Sequence, residues 1–278
     1  MEDYPHILRL NRDFTTADSS GSYDRIRAEL IRKKDAERLA DSKVWKEVSG
    51  IIKDNTDQLE NVLDIGCGTG RYFDSVYAKN LYGLDGSYEM LERARYHWGS
   101  SNTKRYERWA TGNWAHSSDW PAQTPWPPSF PPPADEVAVS LTTNYHKLIL
   151  IQDDVMDFCH KEEYRNKFDF IYSVAMLGIT NVPVDPYKLI PLLPNLVKNN
   201  AKILLHIDLS GLCRREVSGE LDRERAKVES LLGSMERKGT LKKYKTSKRV
   251  VGYHRRYSPT GGDNAESQNF WVMLTSSN

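Results

Sequence analysis

The sequence predicts an α/β protein whose strands are mostly parallel. Apolar runs of strand length recur along the chain, polar helix-forming segments separate them, and carboxylates or glycines follow several of them. The runs lie at 62–65, 81–84, 147–151, 168–177 and 201–209. Because the carboxyl ends of parallel strands meet at one edge of a sheet, we expect a shared binding crevice there.

Length and composition favour one large domain with a sizeable core. The chain has 278 residues, with 39 Lys and Arg against 38 Asp and Glu, so its overall charge indicates no particular partner. The cysteines Cys67, Cys159 and Cys213 lack C-x-x-C spacing, and we expect neither a disulfide framework nor a metal site. No apolar run approaches the roughly 18 residues that cross a membrane, so we expect a soluble intracellular protein, cytoplasmic or nuclear.

The most informative stretch is Val62-Leu63-Asp64-Ile65-Gly66-Cys67-Gly68-Thr69-Gly70. It predicts a strand, a tight turn and the start of a helix, with glycines that let the backbone approach a ligand closely. The dinucleotide fingerprint G-x-G-x-x-G needs glycine at position 71, where this chain has Arg71. The loop therefore has a different pattern, G-x-G-x-G.

This motif resembles the first motif of the class I, Rossmann-like S-adenosylmethionine-dependent methyltransferases, in which a strand with an acidic residue runs into G-x-G-x-G. The resemblance implies S-adenosylmethionine as the cofactor. It places Asp64, Gly66, Cys67, Gly68 and Gly70 in the binding loop. The alternative is a purely structural turn.

A second carboxylate follows the next strand, in Leu81-Tyr82-Gly83-Leu84-Asp85-Gly86, before a predicted helix at 88–96. An acidic side chain at the tip of this strand is placed to accept hydrogen bonds from both ribose hydroxyls. We assign this role to Asp85, with Gly86 beside it. A carboxylate favoured by the dipole of the following helix is a compatible reading.

Two further strand ends complete the expected cofactor site. The resemblance places Asp154 near the adenine amino group, followed by Val155, with Asp153 as the neighbouring alternative. A pair of acidic residues capping the next short helix is the structural explanation. The Phe168-Asp169-Phe170-Ile171 start resembles the family's fourth strand and places Val174 beside the methionine part of the cofactor.

The resemblance implies a three-layer sandwich with a seven-stranded, mostly parallel sheet whose last strand is antiparallel. Helices are predicted at 187–198 and 221–238, and strands at 248–253 and 269–275 form a closing hairpin. We expect a mobile arm at 1–20 and a methyltransferase domain at 21–278.

Two segments of this domain lie outside the common core. A helical cap at 21–58 carries Tyr23, which can close over the cofactor or belong to a solvated amphipathic helix. An insertion rich in Trp and Pro covers 97–146 and is either a substrate-facing lid or a surface flap.

Candidates for catalysis lie at the ends of the parallel strands. They are Tyr172, His206 and Asp208, with His146 at the end of the insertion as a further candidate. His206 and Asp208 are two residues apart in a strand and face the same way, so together they could deprotonate a hydroxyl or an amine. The structural alternatives are a buried core histidine and a helix cap. After the fourth strand the chain has Leu177-Gly178-Ile179, where many relatives have a His or an aromatic residue.

Three functions remain open at this point. The first is methyl transfer to an oxygen or nitrogen of a small organic molecule. The second is methylation of RNA, as in cap-guanine enzymes, through a basic stretch at 237–256 that has aromatic residues but no acidic one. Lysines that protect a solvated hairpin edge explain the same stretch. The third is a non-catalytic binding subunit that keeps the fold.

Overall fold

The computed structural model describes residues 43–86, 90, 91, 94, 106–110, 145, 147–177, 184–208, 220–247, 250–255 and 264–277. Within them, nine strands form one sheet in the order β3-β4-β2-β1-β5-β6-β9-β7, with β8 paired to one end of β9. The arm at 1–20, most of the cap and of the insertion, Tyr23, His146, Gly178 and Ile179 lie outside the described residues.

The strands follow from the five apolar runs and from four further segments. They are β1 (Leu59–Ile65), β2 (Ala78–Asp85), β3 (Tyr106–Ala110), β4 (Lys147–Gln152), β5 (Phe168–Leu177), β6 (Val197–Asp208), β7 (Leu241–Thr246), β8 (Val250–Arg255) and β9 (Asn264–Ser276). The α-helices are α1 (Lys43–Thr56), α2 (Val155–Phe158), α3 (Pro186–Leu189) and α4 (Glu220–Arg237).

Strand directions agree with the predicted class. β3, β4, β2, β1, β5 and β6 are mutually parallel, and β9 runs antiparallel to β6, β7 and β8. The last strand of the chain is thus the reversed one, as expected. The seven predicted strands are all present, and β3 and β7 are additional.

The core occupies both faces of the sheet, as a three-layer sandwich requires. On one face, Val48 and Ile52 of α1 pack against β1, β5 and β6. On the other face, Val228 and Leu232 of α4 pack against a cluster that includes α3 and the 3-10 turn Leu193–Asn195. The described part of the predicted 88–96 helix, at Met90, Leu91 and Ala94, is helical and buried.

The helix expected directly after the glycine loop is absent from residues 66–77, all of which are described. The chain instead makes turns and one 3-10 helix, Phe73–Ser75. Gly70 has φ +79°, a left-handed conformation that cannot begin a right-handed helix. Tyr72, with φ −106° and ψ 8°, lies outside helical geometry as well.

The predicted helix at 187–198 is also wrong. It is divided into α3 and the 3-10 turn Leu193–Asn195, and β6 already begins at Val197. Pro191 and Pro194 explain the division, because proline removes a helix hydrogen bond and clashes with the preceding turn. Asn199 and Asn200 lie at a register shift inside β6, where Asn200 has φ +60°.

Both additional strands are at sheet edges and lack a strong apolar alternation. β3 lies inside the segment predicted as an irregular insertion and pairs with β4 through Trp109 and Ile151. β7 exposes Lys242, Lys243 and Lys245, so only Leu241 and Tyr244 contact the core. Edge strands rich in lysine are common because they resist pairing with other chains.

Candidate functional site

The glycine loop at 66–70 follows β1, and its backbone is bound to the neighbouring strand β2. The backbone N–H groups of Gly66 and Cys67 both donate to the Leu84 carbonyl of β2, at 2.8 and 3.0 Å. Gly66, Gly68 and Gly70 have φ of +71°, +54° and +79°, a region that L side chains rarely adopt. The three glycines are therefore required by the backbone of the loop.

The two ends of this loop have different surroundings. A Cβ atom at Gly66 would lie 2.6 Å from the Met176 Sδ atom of β5, so the loop is tightly packed there. A Cβ atom at Gly68 would have no heavy atom within 4 Å. The backbone of Gly68 therefore borders open space, which suits an approaching ligand.

Asp85 lies at the tip of β2 and reaches this open end. Its Oδ2 atom accepts the Gly68 N–H at 2.8 Å, and its side chain is half-buried. The Asp153 N–H donates to the Asp85 carbonyl at 3.2 Å, which joins the end of β4 to the same corner. The structure thus brings together Asp85, Gly86 and the glycine loop, as the sequence predicted.

The two acidic residues after β4 have different environments. The Asp154 Oδ1 atom caps α2 by accepting the Met156 and Asp157 N–H groups, at 2.7 and 3.3 Å. This is the helix-capping role given above as the structural explanation for the two acidic residues. The Asp154 Oδ2 atom takes part in neither of these two bonds. Val155, the first residue of α2, is buried.

Asp153 is buried and forms an ion pair with Lys161, with 2.5 Å between Nζ and Oδ2. The Asp153 carboxylate therefore points to a protein cation, and Asp154 is the more accessible of the two neighbours. Sequence reasoning missed Lys161, because no local pattern connects residues eight positions apart across a helix and a turn.

Asp64 lies beneath the loop and is 3% exposed. Burial raises the pKa of its carboxyl well above the usual value, the Tyr172 hydroxyl opposes this shift, and the Asp85 charge adds to it. Burial likewise raises the pKa of the Cys67 thiol, which keeps it protonated. Val174 is buried on the same face of the sheet.

Tyr172 is fully buried beside Asp64. Its placement does not support the predicted contact with a methyl acceptor, because no part of its side chain reaches the surface. Tyr172 is buried because β5 lies in the middle of the sheet, between β1 and β6. Its register partners on these two strands are Asp64 and Leu204. Burial raises the pKa of its phenol well above the usual value.

His206 and Asp208 lie at the carboxyl end of β6, opposite Trp271 and Asn269 of β9. His206 is 6% exposed. Trp271 packs against the same cluster as α1, and its Nε1–H group donates to the Glu47 Oε1 atom at 2.8 Å. Sequence reasoning missed Trp271 and Glu47, since only the pairing of β9 with β6 brings them to this corner.

Two absences concern only the described part of the chain. No group of three or more His, Cys, Asp or Glu side chains within it could hold a metal ion. None of its helices is both long and apolar enough to cross a membrane.

Comparisons with known proteins agree with this geometry. Residues 23–242 match the family model described as "Methyltransferase domain". The fold is similar to that of a putative S-adenosyl-L-methionine-dependent methyltransferase from Methanococcus maripaludis, with 13% identity, a TM-score of 0.51 and coverage of 95% of this chain and 98% of that one. It is also similar to the YcgJ protein of Bacillus subtilis, with 11% identity, a TM-score of 0.51 and coverage of 84% and 99%. No protein of curated function matches the sequence.

Proposed function

Because the chain belongs to the family of S-adenosylmethionine-dependent methyltransferases, we propose that it methylates a nucleophilic oxygen or nitrogen of a small organic molecule. Family membership confirms the predicted enzyme class and cofactor. The acceptor is the new part of the proposal.

The described residues fit the cofactor. The open space at Gly68 accommodates a ligand at the backbone, and the Asp85 carboxylate beside it suits a pair of ribose hydroxyls. S-adenosylmethionine supplies a methyl group that its sulfonium already activates. The protein therefore mainly has to orient the two reactants, an effect worth about 7–11 kcal/mol of barrier in well-aligned cases.

The acceptor proposal rests on one observation, the juxtaposition of His206 near the carboxyl end of β6 with its register partner Trp271 of the antiparallel strand β9. An indole held by Glu47 provides a flat apolar wall, and the adjacent imidazole can accept the proton that a hydroxyl or ammonium must lose. A corner built from side chains of two neighbouring strands suits a small organic molecule.

The proposal can be tested by screening phenols, alcohols and amines for release of S-adenosylhomocysteine. We expect turnover of a subset of these compounds, and His206→Gln should reduce kcat by about 100-fold or more, the contribution of a general base. Affinity for S-adenosylhomocysteine should stay within about twofold. Turnover of RNA alone, or full activity of the His206→Gln variant, would contradict the proposal.

RNA is the second candidate acceptor, and the exposed lysines of β7 are the observation that favours it. Lys242, Lys243 and Lys245 are exposed, and Arg237 and Lys238 are exposed just before them. If RNA binds here, its affinity should fall steeply with salt and weaken in a Lys242→Glu/Lys243→Glu variant. Lys79→Glu is the matched control, since Lys79 is exposed on another strand and pairs with Glu60. Weak binding that all three charge changes leave unaltered would exclude RNA.

A further inference from the structure

The strand β5 contains a serine at a position where both chain neighbours are apolar or aromatic. Ser173 is fully buried and lies between Tyr172 and Val174. Burying a hydroxyl costs free energy unless the hydroxyl is hydrogen-bonded. The Ser173 hydroxyl donates to the Ile65 carbonyl of β1, with 3.0 Å between the two oxygens. This bond therefore joins β5 to the residue directly before the glycine loop.

The bond lies where β5 separates from both of its neighbouring strands. The register between β1 and β5 ends at the pair Asp64 and Tyr172, whereas β1 stays paired with β2 up to Ile65 and Leu84. On its other side, β5 shifts its register against β6 directly after Ser173. The Ser173 side chain thus extends the connection between β1 and β5 one residue beyond the backbone pairing.

The separation of β1 from β5 coincides with the place where a ligand is expected. From β1 the chain adds β2, β3 and β4 on one side of the sheet, and then β5 and β6 on the other side. In open α/β sheets, ligands bind outside the carboxyl ends of the strands at the point where this order reverses. Ser173 and Ile65 therefore lie at the base of the expected cofactor crevice.

The peptide group between Ile65 and Gly66 is held from both sides. Its carbonyl accepts the Ser173 hydroxyl of β5, and its N–H group donates to the Leu84 carbonyl of β2 at 2.8 Å. Hydrogen bonds that are connected in this way polarise and strengthen one another. The Met176 side chain of β5 also packs against Gly66, since a Cβ atom there would lie 2.6 Å from its Sδ atom. The direction in which the loop leaves β1 is thus set by β5 as well as by β2.

We propose that Ser173 is a positioning residue, whose hydroxyl orients the peptide group between Ile65 and Gly66 and thereby aligns the glycine loop for S-adenosylmethionine. A peptide group is planar, so a bond that fixes its carbonyl also fixes the direction of its N–H group. Two residues further along the loop, the Gly68 N–H group is bound to Asp85. Removal of the hydroxyl takes the Ser173 donor from the buried carbonyl, and the loop gains conformational freedom that cofactor binding must remove.

This inference rests on the proposed function through the cofactor alone, because it does not depend on the methyl acceptor. Two measurements test it, one without any ligand and one with the cofactor. They distinguish a failure of the inference from a failure of the proposed function.

The first measurement is amide hydrogen exchange, followed by NMR, in the full chain without cofactor. In Ser173→Ala, the protection of the Gly66 and Cys67 amides should fall by about tenfold, the order of one buried hydrogen bond. Unchanged protection of these two amides would overturn the inference.

The matched control for both measurements is Thr56→Val. The Thr56 hydroxyl is also buried and bonded to the backbone, since it accepts the Tyr77 N–H group at 3.0 Å directly before β2 begins. This bond lies at the amino end of β2, at the opposite edge of the sheet from the glycine loop. Thr56→Val should change the protection of Gly66 and Cys67 by less than about twofold.

The second measurement is calorimetric titration with S-adenosylmethionine and S-adenosylhomocysteine. In Ser173→Ala, the Kd of each compound should rise by about tenfold, whereas Thr56→Val should stay within about twofold of wild type. Urea unfolding measures the stability of both variants and confirms that they are folded at the titration temperature. An equal loss of affinity in the two variants would show a general effect of destabilisation and would overturn the inference.

The wild-type protein separates the two kinds of failure. If it binds neither compound, the proposed function is wrong and the role of Ser173 in cofactor binding is wrong with it. If it binds both and Ser173→Ala binds them equally well, this inference alone is overturned.

Discussion

The proposed cofactor half of the site and the proposed acceptor half are built in different ways. In the cofactor half, at β1, β2 and β4, backbone geometry dominates: left-handed glycines, a carbonyl shared by two N–H groups and a carboxylate bound to Gly68. In the proposed acceptor half, at α1, β6 and β9, side chains from distant parts of the chain meet: His206 is buried, Trp271 is half-buried and Glu47 is exposed. The first half can therefore be recognised from a short sequence motif. The second half depends on the pairing of β9 with β6, which brings distant residues together.

The largest expected effect lies in the cofactor half, at Asp85. Asp85→Ala should weaken binding of S-adenosylmethionine by about 100-fold or more, because the predicted cofactor site loses the charged acceptor assigned to the two ribose hydroxyls. Calorimetry measures this directly. Asp54→Ala, an exposed carboxylate on α1, is the control and should bind normally. Unchanged affinity in Asp85→Ala would place the ribose elsewhere.

Substitutions within the glycine loop separate packing from conformation. Gly66→Ala should destabilise the fold by about 3 kcal/mol, since it combines a left-handed backbone with a clash against Met176. Gly68→Ala has the conformational cost alone, about 1–2 kcal/mol. Urea unfolding of the two variants gives both values. Equal losses would show that Met176 moves aside.

Asp64 makes the stability of the folded protein depend on pH. Its folded-state pKa is raised, so the folded protein binds more protons than the unfolded chain between the ordinary and the raised value, and stability falls as pH rises through this window. Asp64→Asn should therefore increase the free energy of unfolding at pH 8 by about 1–3 kcal/mol, the cost of a poorly satisfied buried group. The gain should disappear as pH approaches 4. A constant difference at all pH values would contradict this origin.

The smallest expected effect lies in the acceptor half. Glu47→Gln keeps an oxygen that accepts the Trp271 indole N–H but removes its charge, and should cost about 1 kcal/mol. Glu60→Gln is the control, because Glu60 is an exposed partner of Lys79 and should cost less than about 0.5 kcal/mol. Thermal unfolding at low and high salt distinguishes the two. A loss at Glu47 no larger than at Glu60 would mean that the charge of Glu47 does not strengthen its bond to the indole.

The difference between the local motif of one half and the distant contacts of the other also explains which features could be predicted from the sequence. The strand at 62–65, its glycine turn and the carboxylate at Asp85 are local features, and the structure brings them together as expected. β7 could not be found in this way, because its stability comes from pairing with β9 and half of its own residues are lysines. β3 could not be found from the sequence either, because the tryptophans and prolines around it predict an irregular segment.

Local competition explains the remaining errors. Pro191 and Pro194 override a segment that otherwise has helical composition, and the left-handed Gly70 prevents a helix immediately after the loop. Trp271 lies 65 positions from its register partner His206, a distance that no periodicity spans. The burial of Tyr172 could not be predicted either, because the sequence pattern of a strand does not show which of its residues are covered by other elements.

The position of β9 has a consequence for synthesis of the chain. β9 is synthesised after β6 and β7, yet it lies between them and supplies hydrogen bonds to both. Until it leaves the ribosome, the apolar strand β6 has an unpaired edge that can associate with other nascent chains. The sheet is thus completed only after β9 has been synthesised, and a chaperone that shields β6 during that interval would increase the yield of folded protein.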